Sequence, residues 1–160
     1  METLRGTVEE IYITDRGSAP MERVDEVEAV AGKGLRGDRY MMGTGYWSTY
    51  DLCQVTLIAA EDIEHIARET DLEITAGQHR RNIITRGLDM DLLVGKTFRV
   101  GEALLEYDRP RPPCRYIQSI TQPGMTKALG GRAGICCRIL ESGTIRPSDP
   151  IVVTEPAEAS

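Results

Sequence analysis

The sequence predicts an all-β protein, and three observations lead to this class. The chain of 160 residues contains 16 glycines and 8 prolines spread along its length, so most elements of secondary structure must be short. Apolar and polar residues alternate in many short segments. Helical periodicity, by contrast, is convincing in one segment only. Many closely spaced short strands with little helix are typical of a β-barrel or a β-sandwich.

The predicted strands follow one another at close spacing. The first alternates in part, at Val8, Ile11 and Ile13, and the fifth and sixth are joined tightly across Gly101 and Glu102. In order along the chain, the predicted strands are Leu4–Thr14, Val24–Val30, Gln54–Ile58, Asn82–Thr85, Thr97–Val100, Ala103–Tyr107, Ile135–Leu140 and Ile151–Thr154.

The convincing helix is predicted over Ala60–Thr70. Glu61 and Asp62 lie in its first turn, where the helix dipole favours negative charge. Ile63 and Ile66 lie on one face, which is expected to pack against the strands.

The other segments are shorter or irregular. Brief helices are expected near Pro113 and over Met125–Leu129, and Gly32–Trp47 is expected to be a long loop. The length predicts a single domain over residues 1–154, followed by a frayed tail over residues 155–160.

The charge balance restricts the partners. Nineteen basic and 25 acidic residues give a net charge of −6, which argues against nucleic acid and anionic lipid. The basic residues are mostly arginine, because only Lys33, Lys96 and Lys127 are lysines. The planar fork of arginine suits phosphate and other oxyanions, so a small anionic ligand is compatible with this composition. Codon bias and ordinary surface charge would equally explain the excess of arginine over lysine.

The cysteines, the first residues and the lengths of the apolar runs indicate the localisation. Four cysteines are too few for a disulfide framework, and Cys136 and Cys137 are adjacent, so we expect reduced thiols. Cys53 is expected in the core. The first residues lack the regions of a secretory signal, and no apolar run approaches the ~20 residues that span a bilayer. These observations predict a cytoplasmic protein without a membrane partner.

A glycine-rich segment, Gly32–Gly37, matches the pattern G-x-G-x-x-G of dinucleotide-binding proteins. That pattern requires a strand before the loop and a helix after it, so that the helix dipole holds a pyrophosphate. No amphipathic helix is predicted after Gly37, so a dinucleotide site is not expected. The segment is interpreted instead as a loop that brings its backbone close to a ligand, or as a flexible turn.

Cys114 differs from the other cysteines in its surroundings. It lies in the proline-stiffened segment Arg109–Arg115, which contains three arginines. Positive neighbours and a helix N-terminus stabilise a thiolate, which is both the nucleophile and the metal ligand. Cys114 is therefore a candidate for nucleophilic or metal-binding chemistry.

A second basic segment runs over Gln78–Asn82 and is followed by Arg86. Its arginines and the Asn82 amide are suitable donors for phosphate or an oxyanion, and His79 is a candidate for ligand contact. The alternative is a solvated, arginine-rich entrance to a strand. The two histidines show no metal-ligand spacing to the cysteines, and no C-x-x-C is present, so a structural zinc site is not expected.

Taken in order, these and other segments resemble the MOSC domain family, named for the C-terminal domain of molybdenum cofactor sulfurases. The resemblance covers nearly the whole chain and depends on the order and spacing of the segments. The matching segments are Gly34–Arg39, Gln54–Ile58, Gly77, Asn82–Asp89, Leu92–Lys96, Val100–Ala103, Pro113–Cys114, Gly131–Gly134, Gly143–Ile145 and Asp149. Tyr40 stands where the family often has histidine, and Arg81 stands where it often has glutamate.

The resemblance implies a MOSC-type β-barrel with a cleft around one cysteine. In related proteins that cysteine either carries transferred sulfur or ligates the molybdenum of a pyranopterin cofactor. By this resemblance Cys114 would take that role, as catalytic residue and metal ligand. The candidate cofactor-binding residues are Asn82, Arg81, Arg80, Arg86, Arg115, Gly37, Asp38 and His79.

The leading hypothesis is a stand-alone MOSC protein that binds the molybdenum–pyranopterin cofactor through Cys114. It would reduce N-hydroxylated compounds with electrons from a separate reductase, or would carry sulfur as a persulfide. In the second case pyridoxal phosphate belongs to a separate cysteine desulfurase partner. The alternatives are a non-catalytic module that binds the cofactor or another phosphorylated ligand, and a thiol redox protein unrelated to molybdenum.

Overall fold

The computed structural model describes residues 5–16, 19–42, 53–111 and 121–154. Within these ranges, eleven strands alternate with a few short helices. The strands are β1 (Arg5–Ile13), β2 (Glu22–Val24), β3 (Val27–Val30), β4 (Gly34–Leu35), β5 (Val55–Ala59), β6 (Ile83–Arg86), β7 (Thr97–Val100), β8 (Ala103–Pro110), β9 (Ile135–Glu141), β10 (Gly143–Ile145) and β11 (Pro150–Thr154). The helices are α1 (Arg39–Met42), α2 (Ala60–Glu69) and α3 (Met125–Ala128), with a 3₁₀ helix at Met90–Leu93.

Seven of the strands form a closed barrel. Their order is β11-β7-β8-β9-β5-β6-β1, and β1 pairs again with β11 to close the ring. Neighbouring strands are antiparallel except β5 and β6, which are parallel and are connected through α2. The predicted all-β fold is therefore confirmed, and of the two architectures the barrel is the one formed.

The barrel buries two apolar layers. Side chains such as Leu57, Ile83 and Phe98 fill the interior. Ile84 points to the opposite side of β6 from Ile83 because successive side chains alternate along a strand, and it packs beneath Ile63 of α2 in an outer layer. The apolar face predicted for the helix is thus the face that covers the barrel.

Several predicted boundaries change. The predicted strand Val24–Val30 is two strands, and the linker after β9 contains β10, which joins β3 and β4 in a small second sheet. The predicted loop Gly32–Trp47 contains β4 and α1. The helix expected near Pro113 and the tail over residues 155–160 lie outside the described residues. None of the helices in the described ranges has the length and hydrophobicity needed to span a membrane.

The expectation of reduced thiols is wrong for two of the cysteines. Cys53 and Cys136 form a disulfide across 83 positions of the chain. The physical reason is register: β5 and β9 are antiparallel neighbours that pair Thr56 with Cys136, and the approach to β5 brings Cys53 to a Cα–Cα distance of 5.7 Å. Cys137 is free and buried in the barrel interior. The cytoplasmic localisation inferred from reduced thiols stays a prediction.

Candidate functional site

A group of buried charged and polar side chains lies where β6 begins. We call it the arginine cluster, and its members are Asp38, Arg39, His79, Arg80 and Arg81. Each of these side chains is at most 6% exposed, although guanidinium and carboxylate groups are rarely buried without partners.

A tight turn directs the chain into the cluster. Gly77 has φ +92°, and a Cβ there would lie 2.9 Å from Cβ of Met21 and 3.1 Å from the ring of Tyr12. Its carbonyl accepts a hydrogen bond from the Arg80 N–H at 2.9 Å, which supports the left-handed φ of +65° at Arg80. The turn therefore requires glycine at position 77 and places consecutive arginines at the entrance to β6.

Asp38 connects the glycine-rich loop with this entrance. Its Oδ1 accepts from the Thr14 N–H at 3.1 Å and from Nη1 of Arg39 at 3.1 Å. Nη2 of Arg39 donates to the carbonyl of Arg80 at 2.9 Å. The buried ion pair thus ties β1, α1 and the start of β6 together.

Arg80 and Arg81 reach in different directions. Arg80 donates from Nη1 to the carbonyl of Ala19. Nε of Arg81 donates to the carbonyl of Ala133 at 2.6 Å, and its Nη2 donates to the carbonyl of Arg111 at 3.5 Å. Arg81 therefore contacts the segment Arg109–Arg115 at Arg111, its last described residue.

His79 is a neutral member of the cluster. Burial, reinforced by the positive charges of Arg81 and Arg80, lowers the pKa of His79 to about 3. Its Nδ1 accepts from the Arg81 N–H at 2.9 Å, so the ring proton is on Nε2. The ring also packs edge-on against Tyr12 at a centroid distance of 5.3 Å. His79 is therefore suited to donating a hydrogen bond and unsuited to acting as a cationic acid near neutral pH.

Asn82 forms hydrogen bonds that connect strands of the barrel. Its Oδ1 accepts from the Thr56 N–H at 3.0 Å and from the Thr56 hydroxyl at 3.1 Å, and its Nδ2 donates to the carbonyl of Tyr12 at 3.0 Å. The side chain, which is fully buried, links the starts of β5 and β6 to β1. The cofactor contact predicted for Asn82 stays a prediction.

The other residues predicted to form the cofactor site are not members of the arginine cluster. Arg86 lies at the other end of β6, where Glu9 and Glu64 pair with it and raise its pKa. The structure therefore does not bring Arg86 into the arginine cluster. Gly37 is exposed and has φ +88°, next to Asp38 in the chain. Cys114, Arg115 and the side chain of Tyr40 lie outside the described residues.

Sequence reasoning missed Arg39 as a member of the cluster. The available signal was the adjacent pair Asp38–Arg39 directly after a glycine-rich loop, because opposite charges on neighbouring residues can pair with each other. It also missed Thr56, whose hydroxyl donates to Asn82 and accepts from the Asn82 N–H at 2.9 Å. That partnership depends on the parallel pairing of β5 and β6 and has no local signal in the sequence.

The chemistry of the cluster is that of a donor-rich site. Its members are three guanidinium groups, a neutral imidazole and one carboxylate, all buried near the start of β6. Within the described ranges, no group of three or more histidine, cysteine, aspartate or glutamate side chains is arranged to hold a metal ion. Guanidinium and imidazole N–H groups are donors of the kind that oxyanions accept from. Fold and site together define a closed β-barrel protein with a buried arginine cluster at the entrance to β6.

The comparison with known families agrees with this class. The sequence profile of the MOSC domain matches residues 48–152. The chain belongs to the MOSC domain family, which is associated with binding of the molybdenum cofactor. No curated protein gives a significant match.

Solved structures of bacterial proteins share the fold. The YuaD protein of Bacillus subtilis superposes with a TM-score of 0.77 at 20% identity, over 97% of this chain and 98% of that one. YiiM of Geobacillus stearothermophilus gives 0.73 at 21% identity, over 96% and 77% of the two chains. YiiM of Escherichia coli gives 0.68 at 21% identity, over 96% and 71%.

Proposed function

We propose that this MOSC protein binds the molybdenum–pyranopterin cofactor, with the thiolate of Cys114 as the molybdenum ligand and the arginine cluster beside the cofactor's anionic groups. The observation that carries the proposal is the contact of Arg81 with the carbonyl of Arg111, three positions before Cys114. This contact joins the two basic segments of the sequence, Gln78–Asn82 and Arg109–Arg115.

The described residues fit such a ligand in their donor chemistry. The pyranopterin phosphate and the oxo groups on molybdenum are acceptors, and the cluster supplies guanidinium and imidazole donors. A thiolate is a soft donor of the kind that molybdenum–sulfur bonding favours. Arg80 and Arg81 are therefore proposed to hold the phosphate, and His79 to donate from Nε2. Arg115, Gly37 and Asp38 complete the proposed contacts.

The cofactor would supply oxo transfer and two-electron redox chemistry when bound. The chain's own residues would orient it and exclude water. Two reactions are compatible with this arrangement: reduction of N-hydroxylated compounds with electrons from a reductase partner, or transfer of sulfur carried on Cys114. In the second case a pyridoxal-phosphate-dependent desulfurase would supply the sulfur. Either reaction would make the protein an enzyme, and cofactor storage alone would make it a binding module.

A thiol redox protein unrelated to molybdenum would have to use Cys114 rather than the described cysteines. Among the described cysteines, Cys53 is 4% exposed and Cys136 and Cys137 are fully buried, so they offer no accessible sulfur for exchange. Burial also raises the pKa of the Cys137 thiol, which disfavours the reactive thiolate.

Molybdenum content tests the proposal. The protein is produced in a host that makes the cofactor, and molybdenum and pterin are measured in the wild type and in Cys114→Ser. The wild type is expected to carry near-stoichiometric molybdenum, and Cys114→Ser is expected to lose it. Absence of both molybdenum and persulfide from the wild type would refute the proposal.

The arginine cluster is tested with a matched pair of variants. Arg81→Lys keeps the charge but cannot reach two carbonyls with a planar fork, so we expect about tenfold less cofactor to be retained after dialysis. Arg99→Lys alters an exposed arginine paired with Glu141 and is expected to retain the cofactor. Circular dichroism checks that both variants fold. Reduction of an N-hydroxylated base by the loaded protein, with reduced methyl viologen as donor, distinguishes an enzyme from a binding module.

A further inference from the structure

A separate cleft of about 650 Å³ opens at one end of the barrel. It lies where β5 and β6 end, at Ala59 and Gly87, and where β8 ends beside the start of β9, at Pro110 and Ile135. This volume is in the range of about 300–1,000 Å³ that is typical of small-molecule sites. The arginine cluster lies behind its wall, since Ala133 and Arg111, which accept from Arg81, also line the cleft.

The cleft combines an apolar floor with an excess of negative charge. Leu88, Met90 and Ile135 contribute apolar surface. The charged residues among the described lining are Glu61, Asp62, Asp89, Asp91, Arg111 and Arg132, so carboxylates outnumber guanidinium groups by four to two.

Two of the carboxylates have structural partners. Glu61 accepts from the Gly87 N–H at 2.8 Å, and Asp89 caps the 3₁₀ helix by accepting from the Asp91 N–H at 2.9 Å. Asp62 is different: in the described part of the chain, no donor lies within hydrogen-bond or ion-pair distance of its carboxylate, although the group is half-buried.

The environment of Asp62 disfavours its charge when the cleft holds no ligand. Burial raises the pKa of Asp62, the carboxylates of Glu61 and Asp89 raise it further, and Arg132 and His65 only partly offset them. A half-buried carboxylate without a donor is a strong hydrogen-bond acceptor for a ligand that brings its own positive charge.

The mouth of the cleft is also apolar. Val94 lines it and is 54% exposed, and the neighbouring Leu92 is 46% exposed. Together with Leu140 these are the exposed large hydrophobic side chains among the described residues. An apolar ligand in the cleft would cover the exposed side chain of Val94.

We propose that this cleft binds a small organic cation, in which a protonated amine or amidinium group contacts Asp62 and an apolar body packs on Leu88 and Met90. The proposal concerns the cleft alone and does not depend on the molybdenum site.

The test uses calorimetric titration of the full-length, metal-free protein with benzamidine, an aromatic amidinium. Neutral benzamide and anionic benzoate, which share its aromatic ring, are the comparison ligands. We expect benzamidine to bind at least about tenfold more tightly than either comparison ligand, as a charge-assisted hydrogen bond provides. Equal binding of benzamide or benzoate, or no binding of benzamidine at millimolar concentration, would overturn the proposal.

Variants locate the contact. Asp62→Asn keeps the shape of the side chain and is expected to weaken benzamidine binding about tenfold. Asp25→Asn removes an exposed carboxylate outside the cleft and is expected to leave the affinity unchanged. If Asp62→Asn fails to fold, amide chemical-shift changes in the wild type decide the matter: benzamidine must perturb Leu88 and Met90. Unchanged affinity in folded Asp62→Asn, or perturbations confined to other regions, would refute the assignment.

Discussion

The buried imidazole of His79 makes the stability of this protein depend on pH. The pKa of His79 is about 3 in the folded protein and 6.5 in an unfolded chain. Between these values the unfolded chain binds one more proton than the folded protein, so acidification favours unfolding. Each pH unit in this window costs about 1.4 kcal/mol, and lowering the pH from 7 to 5 therefore removes about 2 kcal/mol.

The assay is chemical denaturation at pH 7, 6 and 5, with the free energy of unfolding obtained at each pH. His79→Asn is the informative variant, because the Asn oxygen can replace Nδ1 as acceptor for the Arg81 N–H but cannot titrate. It should lose about 2 kcal/mol less than the wild type over this range. Leu140→Ala, which replaces an exposed side chain that does not titrate, should follow the wild type.

Proton NMR provides an independent check. The ring resonances of His79 should not move between pH 8 and pH 5. A titration of His79 with a midpoint near 6.5, or an equal loss of stability in the wild type and His79→Asn, would refute the reasoning.

Three further predictions concern the barrel, each measured as the free energy of unfolding. Gly134→Ala should cost about 3 kcal/mol or more, because its Cβ would lie 2.0 Å from a β5 carbonyl oxygen. Its control, Gly87→Ala, is also at positive φ but lies in open space, and should cost about 1 kcal/mol. Equal costs of the two substitutions would contradict this prediction. Asn82→Ala should cost about 3 kcal/mol by leaving buried donors without an acceptor, and a near-neutral effect would exclude its role as an anchor. Reduction of the Cys53–Cys136 disulfide, which closes a loop of 83 positions, should cost up to about 4.5 kcal/mol, and unchanged stability in dithiothreitol would count against it.

The sequence predicted the elements whose signals are local. The alternation in β1 and the apolar face of α2 are properties of a few neighbouring residues, and both elements form close to the expected bounds. The structural roles of Gly77 and Gly134 were not predicted; both adopt positive φ at places where a Cβ would collide with another part of the barrel.

Features that depend on register could not be predicted. Nothing in the sequence around Cys53 indicates that antiparallel pairing of β5 with β9 brings it to Cys136. Similarly, Arg81 and Arg86 are close in sequence and were assigned to one patch, but they lie at opposite ends of β6 and have different partners. A strand of four residues is long enough to separate them by more than the reach of one small ligand.

The closure of the barrel by β1 and β11 has a consequence for synthesis. Among the seven barrel strands the ribosome makes β1 first and β11 last, so the ring cannot be completed until residues 150–154 have emerged. Throughout that interval the edges of β1 and β7 that β11 will occupy have unpaired N–H and C=O groups, which are templates for association with other chains. A message truncated before Pro150 would therefore yield a chain with two permanently open edges, a substrate for chaperones and proteases.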